Sequence, residues 1–124
     1  MQTALIVEDG QTDRAAMTRY LQDFGLTVVA VGSGEEAQKY LEKTIPDLIV
    51  LDVILPGQSG FEICRELKKG TQTKQVPVII CSTKGTDVDK TWGTMLGANA
   101  YLQKPVDKEE LKDTLRRLGK ILLS

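Results

Sequence analysis

The sequence predicts an α/β fold in which five parallel strands alternate with five helices as a three-layer sandwich. Three observations carry that prediction. Leu48-Ile49-Val50-Leu51 is a short run without a polar residue, which suits a strand covered on both faces rather than a half-exposed one. It stops on a carboxylate, Asp52, ahead of Pro56-Gly57. The same plan recurs at Thr3 to Val7, which ends in Glu8-Asp9-Gly10, and at Val76 to Cys81, which ends in Ser82-Thr83-Lys84-Gly85. Segments with helical spacing of apolar residues separate these runs, and right-handed crossovers through them make the strands parallel.

Taken in order, the first strand is Thr3 to Val7, and a helix follows from Thr12 to Phe24. Ala15, Ala16, Tyr20, Leu21 and Phe24 form its stripe, Thr12 is a plausible cap, and Gly25 stops it. Thr27 to Val31 is rich in β-branched residues and reads as the second strand; Ser33-Gly34-Glu35-Glu36 opens a helix carrying Ala37, Tyr40 and Leu41. Pro46 leads into the Leu48 to Leu51 strand. Ser59 caps a third helix with Phe61, Ile63, Cys64 and Leu67 inward, and Gly70 to Gln75 is a polar linker. In the fourth strand, Val76 to Cys81, Pro77 lies near the beginning, where a missing donor is tolerated. Asp87 to Leu96 is a helix weakened by Gly93, with Gly97 as its stop before the short strand Ala100 to Gln103. Lys104-Pro105 ends that strand, and Val106 to Leu122 forms the last helix with Val106, Leu111, Leu115, Leu118 and Leu122 as its stripe.

A chain of 124 residues is sized for one domain, residues 1–124, with a core of its own. With 16 basic and 17 acidic residues it has no basic run to favour nucleic acid or a membrane surface. Cys64 and Cys81 lie among apolar residues without metal-ligand spacing and read as reduced thiols. No apolar run approaches the roughly 20 residues of a spanning helix, so the expectation is a soluble, cytoplasmic protein.

In a parallel sheet all the strand carboxyl ends share one edge, the edge where open α/β sheets bind ligands. Glu8 and Asp9, Asp52, Ser82 and Lys104 are thereby sorted to one side, while the second strand offers only Val31-Gly32. Each has a bland alternative: Glu8-Asp9 or Asp52 as a cap or turn residue, Ser82 as a cap of the fourth helix, Lys104 as a surface ion pair. Three carboxylates crowded at one edge need a cation, since like charges about 4 Å apart cost on the order of 4 kcal/mol at an effective dielectric near 20. Oxygen donors with no histidine suit Mg²⁺ or Mn²⁺. A carboxylate beside such an ion, a lysine and a hydroxyl is equipped to receive a phosphoryl group.

These residues resemble the receiver domain of two-component response regulators, over the whole length, as in stand-alone CheY-like proteins. The resemblance lies in Glu8-Asp9 after the first strand, Asp52 with Pro56 and Gly60, Ser82 after the fourth strand, and Tyr101 through Lys104-Pro105. It implies a flavodoxin-like sheet of order 2-1-3-4-5. It further implies that Asp52 is the phosphoryl acceptor and Asp9 the principal Mg²⁺ ligand, with Glu8 acting through water and the Ile54 backbone carbonyl completing the set. Ser82 and Lys104 would bind the phosphoryl oxygens, and Tyr101 would turn inward as a switch when Ser82 moves. Thr83 stands where many receivers have alanine, and Ile54 and Lys84 flank the pocket, so a long-lived phosphorylated form is expected.

No histidine is present, so the phosphoryl group must come from a sensor histidine kinase or histidine phosphotransfer protein. With no output domain in the chain, the effect is expected to pass through binding of a downstream protein at the face of the fourth helix, fifth strand and fifth helix, by a monomer or a phosphorylation-dependent dimer. Apart from its own phosphoryl transfer and slow autodephosphorylation, no enzymatic activity is expected. Ser82-Thr83-Lys84, Asp89-Lys90, Trp92-Gly93 and Gly97-Ala98 look like regulators of type IV pilus and twitching chemosensory systems; a lone tryptophan such as Trp92 also commonly fills a core gap. A phosphohydrolase commonly has a second Asp two residues after its nucleophile, where Ile54 stands here, and an anionic cofactor would be repelled by Glu8-Asp9. A phosphorylation-independent scaffold is a further alternative.

Overall fold

Leu48–Leu51 forms the central strand β3, and all four of its side chains are buried. The computed structural model describes residues 1–124, and around β3 it places β1 (Thr3–Val7), β2 (Thr27–Val31), β4 (Val78–Ser82) and β5 (Ala100–Gln103). All pairings are parallel and the order is β2-β1-β3-β4-β5, as the resemblance implied. The helices are α1 (Gln11–Asp23), α2 (Gly34–Leu41), α3 (Gly60–Lys69), α4 (Asp87–Met95) and α5 (Lys108–Leu118).

Uniformly apolar strands still alternate their faces. Ala4, Ile6, Leu48, Val50, Ile79 and Cys81 point to one side, where they pack on Met17, Leu21 and Phe24 from the α1 region and Leu111 and Leu115 of α5. Leu5, Val7, Ile49, Leu51, Val78 and Ile80 point to the other, against Ala37 of α2 and Ile63, Cys64 and Leu67 of α3. The sheet is therefore the middle layer of three, and its strand ends converge on one edge.

Ser33 and Ser59 cap α2 and α3, accepting from the backbone N–H of Glu36 and Phe61. Gly25 and Gly97 follow α1 and α4 with φ of 96° and 104°, a left-handed conformation in which a side chain is strained.

Five expectations need correction. The cap of α1 is Gly10, not Thr12; Ala15 is exposed and Met17 takes the inward place. The fourth strand begins at Val78: Pro77 has no N–H to give to the ladder, and only its carbonyl takes part, accepting from the Ile49 N–H (3.0 Å). The last helix starts after its cap Asp107 and ends at Leu118, where Gly119 turns left-handed (φ 73°). After that reversal Ile121 is buried and Leu122, assigned to the stripe, is 80% exposed.

Candidate functional site

The register of the sheet brings the chemistry-bearing residues together. Val7 pairs with Leu51 and the Asp52 N–H donates to the Val7 carbonyl (3.0 Å), so Glu8 and Asp52 emerge side by side from β1 and β3. Ser82 is the last residue of β4 and pairs with Gln103; the Lys104 N–H donates to the Ser82 carbonyl (3.0 Å). The Lys104 side chain then reaches back across the edge to the carboxylates.

Its ammonium donates to Glu8 Oε1, to Asp52 Oδ2 (3.1 Å) and to Asp13 Oδ2 (3.0 Å). Lys104, Glu8 and Asp52 are nearly enclosed, their side chains 10%, 9% and 10% exposed, while Asp13 is 52% exposed. Burial by itself disfavours the charged lysine, but hydrogen bonds to Glu8, Asp13 and Asp52 outweigh it and hold the Lys104 pKa well above the ordinary lysine range. Glu8 is raised above the ordinary carboxylate value, chiefly by burial and further by the Asp52 charge, against the lowering effect of Lys104 and of the Gly10 N–H.

The remaining sequence candidates fall around this cluster. Asp9 is exposed and takes no part in the ion pairs, which center on Lys104. The Ile54 N–H donates to Asp52 Oδ1 (3.3 Å), and its side chain is 59% exposed. Ser82 is fully buried, with Oγ accepting from the Lys84 N–H (3.2 Å). Tyr101 is half-buried, its ring tilted against Phe61 at 6.5 Å and its hydroxyl donating to the Lys84 carbonyl. Thr83 and Lys84 are exposed.

Several bland alternatives are thereby answered. The first helix has no side-chain cap, and Glu8 Oε2 instead accepts from Gly10 N–H (3.0 Å). Thr86, in a capping box with Asp89, caps α4 in place of Ser82. Lys104 is not a surface ion pair, and Trp92 fills no core gap. Asp52 does make a local turn bond, but at a nearly enclosed position facing an ammonium.

Sequence reasoning missed Asp13. As an acidic residue in the first turn of α1 it looks like an ordinary helix-terminus charge, and nothing local marks that the helix lies over the strand ends. A cavity of about 90 Å³ extends between α1 and the sheet, lined by Met17, Tyr20, Cys81 and Val106 together with Asp52 and Lys104. Burial pushes the Cys81 thiol up to about 12, which leaves it unreactive. No helix of the structure is long and apolar enough to cross a membrane.

No three His, Cys, Asp or Glu side chains converge into a metal cage; the carboxylates converge on an ammonium. The donor set nevertheless fits Mg²⁺ or Mn²⁺ in kind: carboxylate oxygens already gathered around a cation, with the exposed Asp9 next to Glu8 and the Ile54 main chain beside Asp52.

Residues 4–116 match the family model described as the response regulator receiver domain. Protein PilH of Pseudomonas aeruginosa is 37% identical over 115 residues, covering 93% of this chain and 95% of PilH. The chemotaxis response regulator CheY4 of Vibrio cholerae has a structure similar with a TM-score of 0.87 at 32% identity, covering 95% of this chain and 98% of CheY4. The receiver domain of sensor histidine kinase PA1611 from Pseudomonas aeruginosa, described with a magnesium ion coordinated in its active site cleft, gives 0.84 at 29% identity over 94% of this chain and 95% of that one. The chain spans about half the length of three further curated relatives, all transcriptional regulatory proteins, covering 50%, 54% and 47% of them.

Proposed function

The chain belongs to the response regulator receiver domain family, and from that premise we propose that residues 1–124 act as a single-domain response regulator that takes a phosphoryl group on Asp52. The donor is a sensor histidine kinase or a histidine phosphotransfer protein. One observation supports the acceptor above all: Asp52, at the end of a fully buried strand, holds Oδ2 3.1 Å from the Lys104 ammonium.

Phosphoryl transfer asks for positioning and charge stabilisation more than for covalent chemistry by other groups. An Asp52 carboxylate oxygen attacks phosphorus as the bond to the donor's leaving group breaks. Lys104 stabilises the charge on the phosphoryl oxygens, and the buried Ser82 hydroxyl donates to one of them. Asp9, Asp52 and the Ile54 carbonyl, with Glu8 acting through water, would hold Mg²⁺, which would supply further charge neutralisation.

Output follows as a population shift. The state in which Ser82 and Lys104 engage the phosphoryl group draws the loop after β4, to which the Tyr101 hydroxyl is tied through the Lys84 carbonyl, so Tyr101 turns with it. The downstream protein docks on α4, β5 and α5, where Val88, Trp92 and Met95 form an exposed apolar stripe spaced for one helix face. Likeness to PilH over nearly the full length of both chains, with the Trp92-Gly93 segment, favours a role in pilus-based motility or taxis.

The test is intact mass after incubation with Mg²⁺ and acetyl phosphate, for the natural chain and for Asp52→Asn. One phosphoryl addition that needs Mg²⁺ and is missing from the variant supports the proposal. No addition to the natural chain favours the phosphorylation-independent scaffold.

A further inference from the structure

The Lys104 ammonium has three N–H donors, and three carboxylates take them: Glu8, Asp13 and Asp52. A phosphoryl oxygen arriving at Asp52 needs one of those donors, so one partner must let go. Asp52 is the acceptor itself. Glu8 is nearly enclosed and its other oxygen is tied to the Gly10 N–H at 3.0 Å, so it has little room to swing away. Asp13 is about half exposed, so its carboxylate returns to water at least cost.

Nor is Asp13 occupied elsewhere. It is the third residue of α1, where an acidic side chain ordinarily folds back onto the N–H of the cap residue. Here the Gly10 N–H already donates to Glu8 Oε2 at 3.0 Å, and the Asp13 carboxylate instead crosses to a lysine 91 residues away. The contact joins the start of α1 to the end of β5 at the point where the phosphoryl group must enter.

We propose that Asp13 is a positioning residue that occupies the third donor of Lys104 in the unphosphorylated state and must be displaced before Lys104 can hold a phosphoryl group on Asp52. The inference rests on the reading of Asp52 as acceptor. It makes Asp13 a brake: its exchange with the phosphoryl oxygen sets part of the free-energy difference between the two states. Asn at this position keeps the shape but offers only a neutral oxygen, which holds an ammonium less strongly.

The experiment titrates the full chain, in Mg²⁺, with beryllofluoride as the phosphoryl mimic, following backbone amide resonances. The natural chain is compared with Asp13→Asn, Asp13→Glu, Lys104→Gln, Asp52→Asn and the Asp13→Asn/Lys104→Gln pair. Asp13→Asn should tighten binding about two- to fivefold, the range expected for losing one half-exposed ion pair. Asp13→Glu, which restores the charge, should bind like the natural chain, and Asp13→Asn should change nothing once Lys104 is Gln. Unchanged or weaker binding by Asp13→Asn overturns the inference, as does an equal gain in the Lys104→Gln background, which would mean simple repulsion of an anion. A natural chain that fails to respond, or an Asp52→Asn chain that responds equally, overturns the acceptor reading and the inference with it.

Discussion

Gly60, the first residue of α3, lies directly on the main chain of Asp52: a methyl group at Gly60 would overlap the Asp52 carbonyl and come within 2.9 Å of Val53 Cα. The helix and the end of β3 are therefore locked at a separation that only glycine permits. Both opposing groups are backbone, so neither can swing aside. Gly60→Ala should lower stability by about 1–3 kcal/mol, read as a shift of the urea midpoint, and should slow labelling by acetyl phosphate because Asp52 is displaced. An unchanged midpoint would contradict the contact.

Gly93 explains itself in the same way. A Cβ there would meet the Tyr101 ring at 2.9 Å and Ile80 Cδ1 at 3.2 Å. Ala ordinarily gains about 1 kcal/mol over Gly inside a helix, but Gly93→Ala should show no such gain and should disturb the near-ultraviolet signal of Tyr101. A stabilised variant with an unaltered aromatic spectrum would refute this.

Tyr101 should titrate late. Burial first, then the charges of Asp89 and Asp52, push its pKa from 10.0 up to about 12. Because the folded value is the higher one, the unfolded chain loses the proton first as pH rises, and stability falls from pH 10 towards 12. Lys104, also raised, contributes stability that is present below the ordinary lysine value of 10.5 and lost as pH rises through its folded value. The difference between the absorbance titrations of the natural chain and Tyr101→Phe isolates the tyrosine, and the variant's urea midpoint should decline less over this range. A difference curve centred at 10 would defeat the prediction.

The phosphorylated form should be long-lived. Ile54, two residues beyond Asp52, and Thr83, next to Ser82, have exposed side chains, and at these positions they are expected to slow an attacking water. Ile54→Ala with Thr83→Ala should speed loss of the phosphoryl group on the order of tenfold, ~1.4 kcal/mol of barrier, followed by intact mass after removal of the donor. Loss from the natural chain within seconds in Mg²⁺ would end this expectation.

Much of this architecture can be read along the chain because its signals are local. The unbroken apolar run Leu48–Leu51 marks a covered strand, Ser33 and Ser59 mark helix starts by side-chain chemistry, and Gly25 and Gly97 mark stops that need positive φ. The start of α1 is not legible in the sequence because its cap, Gly10, has no side chain to announce it. The sequence makes the last helix look longer than it is because the apolar spacing of Leu118 and Leu122 continues through Gly119, where the backbone turns back and buries Ile121 instead.

The residue types that end each strand are legible along the chain, and because parallel strands carry their carboxyl ends together they place Glu8, Asp9, Asp52, Ser82 and Lys104 at one edge. Which carboxylates hold the lysine is settled by packing between distant elements. Asp9 and Asp13 both follow β1 closely, yet Asp13 contacts Lys104 and the exposed Asp9 does not. That choice depends on how α1 leaves Gly10 and lies across the strand ends, a packing relation between residues 91 apart. Periodicity and capping are properties of a few consecutive residues, and they carry no information about it.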